Sequence, residues 1–328
     1  MISSESVWAL VLAGGEGKRL RVLTTQPSGT AVPKQFCSLR GERLLIEETI
    51  DRGAALVHRK RICAIVATEH RRWWSESAAL SRLSAGNLIV QPRNRGTGVG
   101  ILYAMLHIAA RDPDATVALL PSDHHVADEI ILRESLVAAL QAVRRRRGGP
   151  VLLGLEPSST DTELGYIVPG ERDPSGGYRV RQFIEKPSVT DARWLIESGA
   201  LWNMFIIVAA VQRLIDLFQP HWGSLVTEMQ ALVAGDHLAG SADISELNLA
   251  KRYERLPEVD FSRHVLAGQE SALRVMRVPP CGWSDLGTPR RVRETLRSLS
   301  TREYAAAVSR RSAYVNLAAQ HERLQRQA

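Results

Sequence analysis

Glycines and cations are concentrated in one short segment near the start of the chain, Leu12-Ala13-Gly14-Gly15-Glu16-Gly17-Lys18-Arg19-Leu20. Glycines let main-chain N–H groups approach and surround an anion, and Lys18 and Arg19 add positive charge beside them. The segment is not a dinucleotide-binding fingerprint, because Leu20 stands where that motif has its third glycine. It is not a Walker loop either, because Arg19 stands where that motif has Ser or Thr. It therefore predicts an anion-binding turn of another kind.

Two acidic residues are candidates for binding a cation. Asp123 follows a short apolar run in Leu120-Pro121-Ser122-Asp123-His124-His125, and a carboxylate at the end of a buried strand is costly unless it binds something. Asp123 either caps the next helix or serves as a ligand for a hard cation such as Mg²⁺. Asp285, in Gly282-Trp283-Ser284-Asp285-Leu286-Gly287, supplies a second carboxylate that could share the metal. Zinc is disfavoured, because the adjacent His124 and His125 side chains on an extended segment point to opposite faces.

Four further segments carry polar residues that could bind a ligand. Lys34 lies in Val32-Pro33-Lys34-Gln35-Phe36, although a lysine in such a loop is by itself more often solvated. The segment Gln91-Pro92-Arg93-Asn94-Arg95-Gly96-Thr97-Gly98 opens a helix and predicts a main-chain site for an anion or a base edge. Glu185-Lys186 ends a strand with a polar pair suited to hydroxyls and a phosphate, and Asn203 lies in a later apolar strand. Each segment alone has a purely structural explanation, but their joint occurrence departs from chance.

The elements that must position these residues alternate between buried strands and amphipathic helices in the first half of the chain. This alternation predicts βαβ units and a mostly parallel sheet with helices on both faces. In such a sheet ligands bind outside the carboxyl ends of the strands, where the candidate residues fall. The predicted strands are Trp8–Ala13, Ile62–Ala67, Leu88–Val90, Thr116–Leu120 and Val151–Leu155, and the predicted helices are Leu44–Val57, Trp73–Leu83, Ile101–Ala110 and Ile130–Val143.

After residue 155 the pattern changes to strands joined by longer loops. The predicted strands are Tyr166–Val168, Tyr178–Ile184, Trp202–Ala209 and Leu273–Val278. We expect them to form an antiparallel or mixed extension laid over the first half. The segment Pro289–Ala328 is rich in Arg, Ala and Leu and is predicted to be helical. The sequence thus indicates one domain over residues 1–288 and a helical tail over residues 289–328.

Composition excludes several classes of protein. The 328 residues are 45% hydrophobic and 23% charged, which excludes intrinsic disorder of the whole chain. The three cysteines, Cys37, Cys63 and Cys281, lie far apart, which argues against a zinc ribbon or a disulfide scaffold. No stretch approaches the roughly 18 apolar residues that span a bilayer, and no basic residues precede the apolar segment Val7–Ala13 as in a signal peptide. We therefore expect a cytoplasmic protein without a membrane partner.

The net charge of +7 favours anionic partners. The sharpest basic cluster, Arg144–Arg147, precedes Gly148-Gly149-Pro150 and is predicted to be the solvated end of a helix, where cations suit the helix dipole. Aromatic residues make up 5% and do not interleave with this run, which weakens a single-strand-binding interpretation. Phosphorylated small molecules are therefore the favoured partners, and nucleic acid is not expected.

The ordered set of motifs resembles the sugar-1-phosphate nucleotidylyltransferases, and most closely the mannose-1-phosphate guanylyltransferases. The resemblance runs from about Val7 to Gly287 and rests on five motifs in order: Leu12–Leu20, Pro33-Lys34-Gln35-Phe36, Pro121-Ser122-Asp123-His124, Phe183–Pro187 and Trp283-Ser284-Asp285-Leu286-Gly287. It implies a Rossmann-like α/β fold with a mixed or antiparallel sugar-binding extension. It also implies a nucleotidyltransferase domain over residues 1–288.

The resemblance implies a role for each motif. Arg19, Lys34, Asp123 and Asp285 are expected to be catalytic, with Asp123 and Asp285 holding Mg²⁺. The nucleotide, favoured to be GTP, is expected to bind at Leu12, Ala13, Gly14, Gly15, Gly17, Lys18, Gln91, Arg95, Gly96 and Thr97. The hexose 1-phosphate is expected to bind at Gly165, Glu185, Lys186 and Asn203. A homo-oligomer is compatible with the resemblance.

Two departures from the family pattern concern the sugar side. Asn203 is followed directly by Met204-Phe205, where the family usually has Ser-Gly between the asparagine and the methionine, and Leu164-Gly165-Tyr166-Ile167 is a shortened form of the family's Gly-Tyr-Gly-Tyr-Ile. A uridylyl- or thymidylyltransferase acting on glucose 1-phosphate or another hexose 1-phosphate therefore stays open as the alternative. A non-catalytic homologue is disfavoured, because Arg19, Lys34, Asp123 and Asp285 are all present.

Overall fold

The computed structural model describes residues 6–26, 28–146, 148–238, 249–309 and 315–327. Its strands are β1 Val7–Ala13, β2 Ile62–Ala67, β3 Leu88–Gln91, β4 Thr116–Pro121, β5 Val151–Leu155, β6 Gly165–Arg172, β7 Tyr178–Glu185, β8 Leu201–Ala210 and β9 Arg274–Val278. All nine belong to one sheet with the order β3-β2-β1-β4-β8-β5-β9-β7-β6. Every predicted strand is present, with ends that differ by up to four residues.

The first four strands form the parallel half of the sheet. β1 pairs with β2 on one side and with β4 on the other, and β3 adds to β2. Registers such as Ala13 opposite Val66 and Leu12 opposite Pro121 bring the carboxyl ends of these strands to one edge. β2 and β4 are buried along their whole length, as expected for parallel strands covered on both faces.

Two layers of helices cover the two faces of the sheet. The helices Leu45–Ala54 and Glu129–Arg146 pack into one hydrophobic core, and the helix Gly96–Arg111 packs into the other. Val11 of β1 contributes to the first core and Leu10 to the second, because successive side chains of a strand point to opposite faces. The predicted α/β architecture with helices on both faces is confirmed.

The later strands do not lie over the first half, contrary to the expectation from sequence. They extend the same sheet: β8 runs antiparallel between β4 and β5, and β5, β9, β7 and β6 continue the sheet beyond it. Strand patterning reports which side chains are buried, but it does not report which strand is the neighbour. The mixed character of the extension is confirmed.

The helices differ from prediction in two places. The predicted helix Trp73–Leu83 is two short helices, Arg71–Trp74 and Ala78–Ser81, because the side chain of Ser77 accepts from the main-chain N–H of Leu80 and starts a new helix. Apolar periodicity crosses this break and conceals it. The structure also contains the helices Val211–Asp216 and Gln219–Leu238, which the sequence analysis did not predict. Arg21–Thr24 is a further short helix, which follows the glycine-rich segment.

The predicted helical tail forms the helices Pro289–Arg297, Thr301–Ser309 and Leu317–Gln327, and Ala328 lies outside the described residues. Its last part is joined to the rest of the chain by main-chain hydrogen bonds. Ser38 donates to the carbonyl of Val315 at 2.9 Å and accepts from the N–H of Leu317 at 2.8 Å. Since Ser38 lies four residues after Lys34, the tail braces the segment that carries this lysine.

Three observations bear on the other expectations from composition. Cys37, Cys63 and Cys281 are buried and unpaired. The helix Glu129–Arg146 ends in the basic run as predicted, while Arg147 lies outside the described residues. Among the residues that the structure describes, no helix is long and apolar enough to cross a membrane.

Candidate active site

A cleft of about 250 Å³ opens at the carboxyl edge of the parallel strands. Its walls come from the ends of β1 and β4, from the start of the helix Gly96–Arg111, and from β8. The predicted residues that line it are Leu12, Gly14, Gly15, Gln91, Gly96, Thr97 and Asp123. Gln35, Asn94, Ser122, His124 and Phe205 line it as well. Motifs that are far apart in the chain therefore converge on one cleft, because the strands that carry them end at one edge.

The glycine-rich segment is held in place through its carbonyl groups. The side-chain amide of Gln35, which is buried, donates to the carbonyls of Ala13 at 2.8 Å and Gly15 at 3.0 Å. The hydroxyl of Ser122 donates to the carbonyl of Leu12 at 2.6 Å. These bonds fix the segment without any ligand, so the cleft is formed in advance.

Gly17 allows the glycine-rich segment to approach Lys34. It has a φ of 61°, in the left-handed region, and a Cβ at this position would lie 3.0 Å from the Cβ of Lys34. A larger residue would combine backbone strain with a tight contact. Gly17 is therefore needed for the spacing between the glycine-rich segment and the lysine.

Lys34 joins two predicted catalytic aspartates, one through its carboxylate and the other through its main-chain carbonyl. Its ammonium lies 2.8 Å from Oδ2 of Asp123 and donates to the main-chain carbonyl of Asp285 at 2.6 Å. Lys34 is only 5% exposed, and a buried ammonium requires such partners. Burial acts to raise the pKa of Asp123, but the charges of Lys34 and His124, with hydrogen bonds, lower it below its ordinary value. The predicted grouping of Lys34, Asp123 and Asp285 is thus a feature of the structure.

The carboxylate of Asp285 is held by an arginine from the tail. Nη2 of Arg291 donates to Oδ2 of Asp285 at 2.9 Å, and Nε of Arg291 lies 2.5 Å from Oδ1. The same guanidinium donates through Nη1 to Oδ2 of Asp161 at 2.5 Å. Asp161 follows β5, so the tail, the Asp285 turn and the β5–β6 loop meet beside the cleft.

Arg19 is paired with a carboxylate from the β5–β6 loop. Its guanidinium donates to the carboxylate of Glu163, and both side chains are nearly half exposed. The main-chain N–H of Glu163 donates to Oδ1 of Asp161 at 2.9 Å. The β5–β6 loop therefore pairs with a predicted catalytic cation through Glu163 and with Arg291 through Asp161.

The two histidines after Asp123 serve different places, as predicted. His124 lines the cleft and accepts at Nδ1 from the indole of Trp283 at 3.3 Å. Burial lowers the pKa of His124 to about 4, so it is neutral at pH 7. His125 lines a separate cavity and forms a main-chain bridge with Ser284. This bridge fastens the end of β4 to the turn that carries Asp285.

Gln91 lines the cleft with its buried amide. It is 3% exposed, and its Oε1 accepts from the hydroxyl of Tyr253 at 3.2 Å. Its Nε2 faces Gly14, where a Cβ would lie only 2.4 Å away. Gly14 therefore leaves room for the amide, and Tyr253 fixes which end of the amide points toward the glycine-rich segment.

The start of the helix Gly96–Arg111 is packed against a later segment of the chain. Gly96 has a φ of 85°, and a Cβ there would lie 2.3 Å from the carbonyl of Val259. The hydroxyl of Thr97 accepts from the N–H of Phe261 at 2.9 Å. Only glycine fits this contact, which aligns the first turn of the helix with the cleft.

The predicted sugar-binding residues form a second group beside β8. A Cβ on Gly165 would lie 2.6 Å from Oε2 of Glu185 and 3.4 Å from the Cβ of Asn203, so these three residues are in contact range of one another. Burial, with the negative charge of Asp260 as the second cause, raises the pKa of Glu185 to about 7. The charges of Lys186 and other cations act in the opposite direction.

Backbone strain is concentrated at this edge of the sheet. In the described part of the chain, the non-glycine residues with positive φ are Lys186 at 52°, Phe205 at 57° and Leu286 at 47°. Lys186 follows Glu185, Phe205 lies two residues after Asn203, and Leu286 follows Asp285. Such conformations persist only where surrounding contacts enforce them, and they cluster at functional sites.

Two predicted nucleotide-binding side chains point elsewhere. Lys18 is two-thirds exposed and pairs with Glu16 at 3.1 Å. The guanidinium of Arg95 donates to the main-chain carbonyl of Glu254. Neither of these two residues is among those that line the cleft.

The residues present fit a magnesium ion bound together with a phosphorylated substrate. Mg²⁺ is commonly held by one or two carboxylates while water and substrate phosphates fill its other positions. The Asp123 carboxylate is 37% exposed, and Lys34 links it to the main-chain carbonyl of Asp285, the residue that carries the second carboxylate. Within the described ranges, no group of three or more His, Cys, Asp or Glu could hold a metal by itself. The chemistry therefore fits a substrate-dependent metal site.

Comparison with known sequences decides the family. Residues 8–301 match the profile of the family described as nucleotidyl transferase. The chain belongs to the nucleotidyl transferase family. The resemblance inferred from the motifs is thereby confirmed at the level of the family.

Curated relatives of this nucleotidyl transferase are named for polysaccharide and mannose metabolism. The alginate biosynthesis protein AlgA of Pseudomonas putida is 28% identical over 284 residues, which cover 85% of this chain and 56% of AlgA. Mannose-1-phosphate guanylyltransferase 2 of Escherichia coli O157:H7 is 26% identical over 298 residues, which cover 88% of this chain and 59% of that protein. The chain thus matches little more than half the length of these relatives.

Solved structures confirm the fold of this nucleotidyl transferase. A protein from Thermus thermophilus described as mannose-1-phosphate geranyltransferase superposes with a TM-score of 0.74 at 29% identity, over 90% of this chain and 80% of that one. A putative glucose-1-phosphate thymidylyltransferase from Bacillus anthracis superposes with a TM-score of 0.53 at 15% identity, over 88% and 94% of the two chains. The second likeness supports the shared fold alone.

Sequence reasoning missed several residues that shape the site. Arg291, Asp161 and Glu163 hold predicted catalytic residues, and Tyr253 orients Gln91. For Arg291 the sequence offers one signal, the adjacent pair Arg290-Arg291 that begins three residues after Gly287. The sequence analysis assigned this pair to the tail. The others lie in loops without a motif and become visible only through contacts between distant segments.

Proposed function

We propose that this nucleotidyl transferase moves the guanylyl group of GTP to mannose 1-phosphate, giving GDP-mannose and pyrophosphate. The observation that carries the proposal is the position of Lys34 between Asp123 and Asp285 at the rim of a cleft walled by the glycine-rich segment. The names of the curated relatives, among them mannose-1-phosphate guanylyltransferases, support the choice of substrates.

In the proposed reaction, a phosphate oxygen of mannose 1-phosphate attacks the α-phosphorus of GTP. A new P–O bond forms, the bond from the α-phosphorus to the oxygen of the β-phosphate breaks, and that oxygen leaves with pyrophosphate. The nucleophile is already anionic, so no general base is needed. The neutral state of His124 and the absence of a cysteine among the cleft residues agree with direct displacement.

Catalysis in this proposal consists of positioning and of neutralising charge. Lys34 and Arg19 act on the triphosphate, and Arg19 exchanges Glu163 for phosphate oxygens. Mg²⁺ held by Asp123 and Asp285 would supply further positive charge to the phosphate oxygens. Gln91 donates from its amide to the base, and main-chain groups from Leu12 to Gly17 surround the nucleotide.

The sugar side of the proposal rests on the group around Gly165. Glu185 accepts from sugar hydroxyls in its charged form, Asn203 adds an amide, and Lys186 pairs with the phosphate. The tight fit between Gly165 and Glu185 fixes where the carboxylate lies. The shortened motifs at Gly165 and Asn203 change this side of the site and leave the base side unchanged, so we expect base choice to be stricter than sugar choice.

A second candidate is uridylyl or thymidylyl transfer to glucose 1-phosphate or another hexose 1-phosphate. It is favoured by one observation: the Gln91 amide donor matches a carbonyl acceptor, and guanine, uracil and thymine all carry one. A base site that pairs several donors and acceptors rejects a wrong base strongly, because the mismatch leaves buried polar groups unpaired. A single displaced sugar hydroxyl in a partly open pocket costs only about 1–2 kcal/mol.

Measurement of kcat/KM over a grid of substrates separates the two candidates. GTP, UTP, dTTP, ATP and CTP are each paired with mannose 1-phosphate, and the best triphosphate is then paired with glucose 1-phosphate, with pyrophosphate release as the readout. We expect GTP to be preferred, with mannose over glucose by about fivefold to thirtyfold. A preference for UTP or dTTP would replace the proposal with the second candidate.

A further inference from the structure

Arg291 is a buried tail residue whose guanidinium lies against the second predicted metal ligand. Its Nη2 and Nε contact the two carboxylate oxygens of Asp285 at 2.9 Å and 2.5 Å. Its Nη1 donates to Asp161 at 2.5 Å, so one guanidinium spans two carboxylates. Arg291 is only 7% exposed, and its main-chain N–H donates to the hydroxyl of Thr288 at 3.3 Å. It is thus fixed at both ends.

Space for this contact is created by Gly287. A Cβ on Gly287 would lie 2.3 Å from Oδ2 of Asp285 and 2.5 Å from Nη2 of Arg291. The N–H of Gly287 also donates to Oδ1 of Asp285 at 3.1 Å. The turn after Asp285 therefore needs glycine at position 287 to leave room for the contact between Arg291 and Asp285, which is a buried contact and not a pairing of surface charges.

Two hydrogen bonds hold the plane of the Asp285 carboxylate: Nη2 of Arg291 donates to Oδ2 and the N–H of Gly287 donates to Oδ1. Arginine donates from fixed positions on a rigid planar group, so it can hold Asp285 and Asp161 at once, whereas lysine offers a single ammonium. The positive charge of Arg291 is offset by Asp161, which is itself held by the N–H of Glu163 and by Arg290. Asp161 therefore anchors one side of the guanidinium while Nη2 on the other side holds Asp285.

We propose that Arg291 is a positioning residue of the metal site: it holds the Asp285 carboxylate in the orientation that receives the divalent ion, and Asp161 anchors Arg291. This inference rests on the proposed function, in which Asp285 is a metal ligand. It makes the first turn of the helix Pro289–Arg297 part of the active site, since that turn carries Arg291. Groups that orient metal ligands typically alter metal affinity by about tenfold to a hundredfold when they are replaced.

The test compares Arg291→Lys with Arg290→Lys in the full chain. Arg290 is the matched control, because it contacts the same Asp161 from the same helix at 2.8 Å but does not contact Asp285. The probe is Mn²⁺, titrated by electron paramagnetic resonance in the presence of α,β-methylene GTP, which cannot undergo transfer. This measurement reports metal affinity without turnover.

We expect Arg291→Lys to weaken Mn²⁺ binding by about tenfold to a hundredfold and Arg290→Lys to change it by less than about twofold. Wild-type affinity in Arg291→Lys, or an equal loss in Arg290→Lys, overturns the inference while leaving the proposed function intact. Failure of the wild-type protein to bind Mn²⁺ with the nucleotide instead contradicts the metal site of the proposed function, and the inference with it.

A second variant covers the case in which Arg291→Lys does not fold. Asp161→Asn removes the charged anchor of Arg291 without touching Asp285, and its fold is checked by circular dichroism. We expect Mn²⁺ binding to weaken by more than about twofold. Unchanged Mn²⁺ affinity in folded Asp161→Asn contradicts the role of Asp161 as the anchor and overturns the inference.

Discussion

The ammonium of Lys34 lies 2.8 Å from the carboxylate of Asp123, although the two residues are 89 positions apart in the chain. Asp123 follows β4, the neighbour of β1 in the sheet, at the edge where both strands end. Lys34 lies on the 3₁₀ turn Lys34–Phe36, which is separated from β1 by the 3₁₀ turn Lys18–Leu20 and the helix Arg21–Thr24. The pair exists because the segment after β1 returns Lys34 to that edge. Since one partner is buried, the pair is held where a phosphorylated ligand would arrive.

Lys34 and Lys186 are predicted to have different kinetic roles. Lys34→Ala should mainly lower kcat, by roughly a hundredfold, because its contact strengthens as charge develops on the triphosphate. Lys186→Ala should mainly raise KM for the sugar phosphate, because its charge contacts that phosphate before and during reaction. Steady-state kinetics with each substrate varied in turn measures both, and the opposite pattern would show that the two roles are exchanged.

The predicted metal ligands are tested by amide variants. Asp123→Asn and Asp285→Asn should each lower turnover by roughly a hundredfold or more while the protein stays folded by circular dichroism, because a metal on phosphate oxygens supplies several kcal/mol of stabilisation. Activity is measured across a Mg²⁺ titration. A folded variant with near wild-type activity at low Mg²⁺ would exclude that residue as a ligand.

Glu163 is predicted to compete with the triphosphate for Arg19, since the two side chains form an ion pair. Glu163→Gln should lower KM for the triphosphate by about twofold to fivefold, because an exposed ion pair is worth about 0–1 kcal/mol and its loss frees the guanidinium. Glu156→Gln is the control, since Glu156 forms a comparably exposed pair with Arg277 at 3.2 Å and does not line the cleft. An unchanged or higher KM in Glu163→Gln would show that Glu163 orients Arg19 and does not compete for it.

Glu185 links pH to both binding and stability. Its pKa is raised from 4.5 to about 7, mainly by burial and then by Asp260. We expect KM for the sugar phosphate to rise as the pH falls below 7, because the protonated carboxyl is a poorer acceptor for sugar hydroxyls. Initial-rate measurements between pH 5.5 and 8.5, with Glu185→Gln as the reference, check this expectation.

The same shift in the pKa of Glu185 has a defined sign for stability. The pKa of Glu185 is higher in the folded protein than in the unfolded chain, so the protonated carboxyl favours folding. This contribution to the free energy of unfolding is fully present below pH 4.5 and is lost as the pH rises through 7. Glu185→Gln should therefore raise the free energy of unfolding at pH 8 by about 1–3 kcal/mol and change it little at pH 5. Urea denaturation at the two pH values measures the difference, and equal effects at both would contradict the buried charge as the cause.

Asn316 is predicted to hold two helices of the tail together beside the main-chain bonds that join the tail to Ser38. Its buried side chain donates to the carbonyl of Ala307 at 2.7 Å and accepts from the N–H of Ala318 at 3.0 Å. Asn316→Ala leaves both groups unpaired and should lower the free energy of unfolding by about 1–3 kcal/mol. Gln327→Ala, on the exposed end of the same helix, should have little effect. Similar urea midpoints for the two variants would contradict a bracing role for Asn316.

The sequence by itself determined the strands and the chemical nature of the site. Runs such as Ile62–Ala67 and Thr116–Leu120 are apolar throughout because both faces of a parallel strand are covered, and that property is local to the run. Glycines, lysines and carboxylates placed directly after such runs could be assigned to one edge, since parallel strands share their direction. Asp123 and Gln91 were found in this way, whereas Lys34 was identified through the resemblance to a known family.

Tertiary structure alone decided which distant segments meet. β8 lies between β4 and β5 in the sheet. Arg291 donates to Asp285 and Asp161. Arg19 donates to Glu163, and Tyr253 donates to Gln91. Strand neighbours are chosen by the packing of whole faces, and an ion pair between loops depends on where those loops are carried by the strands. Neither the choice of strand neighbours nor an ion pair between loops produces a periodic pattern or a fixed spacing in the sequence. For that reason the residues of the site could be named from the sequence, while the residues that hold them could not.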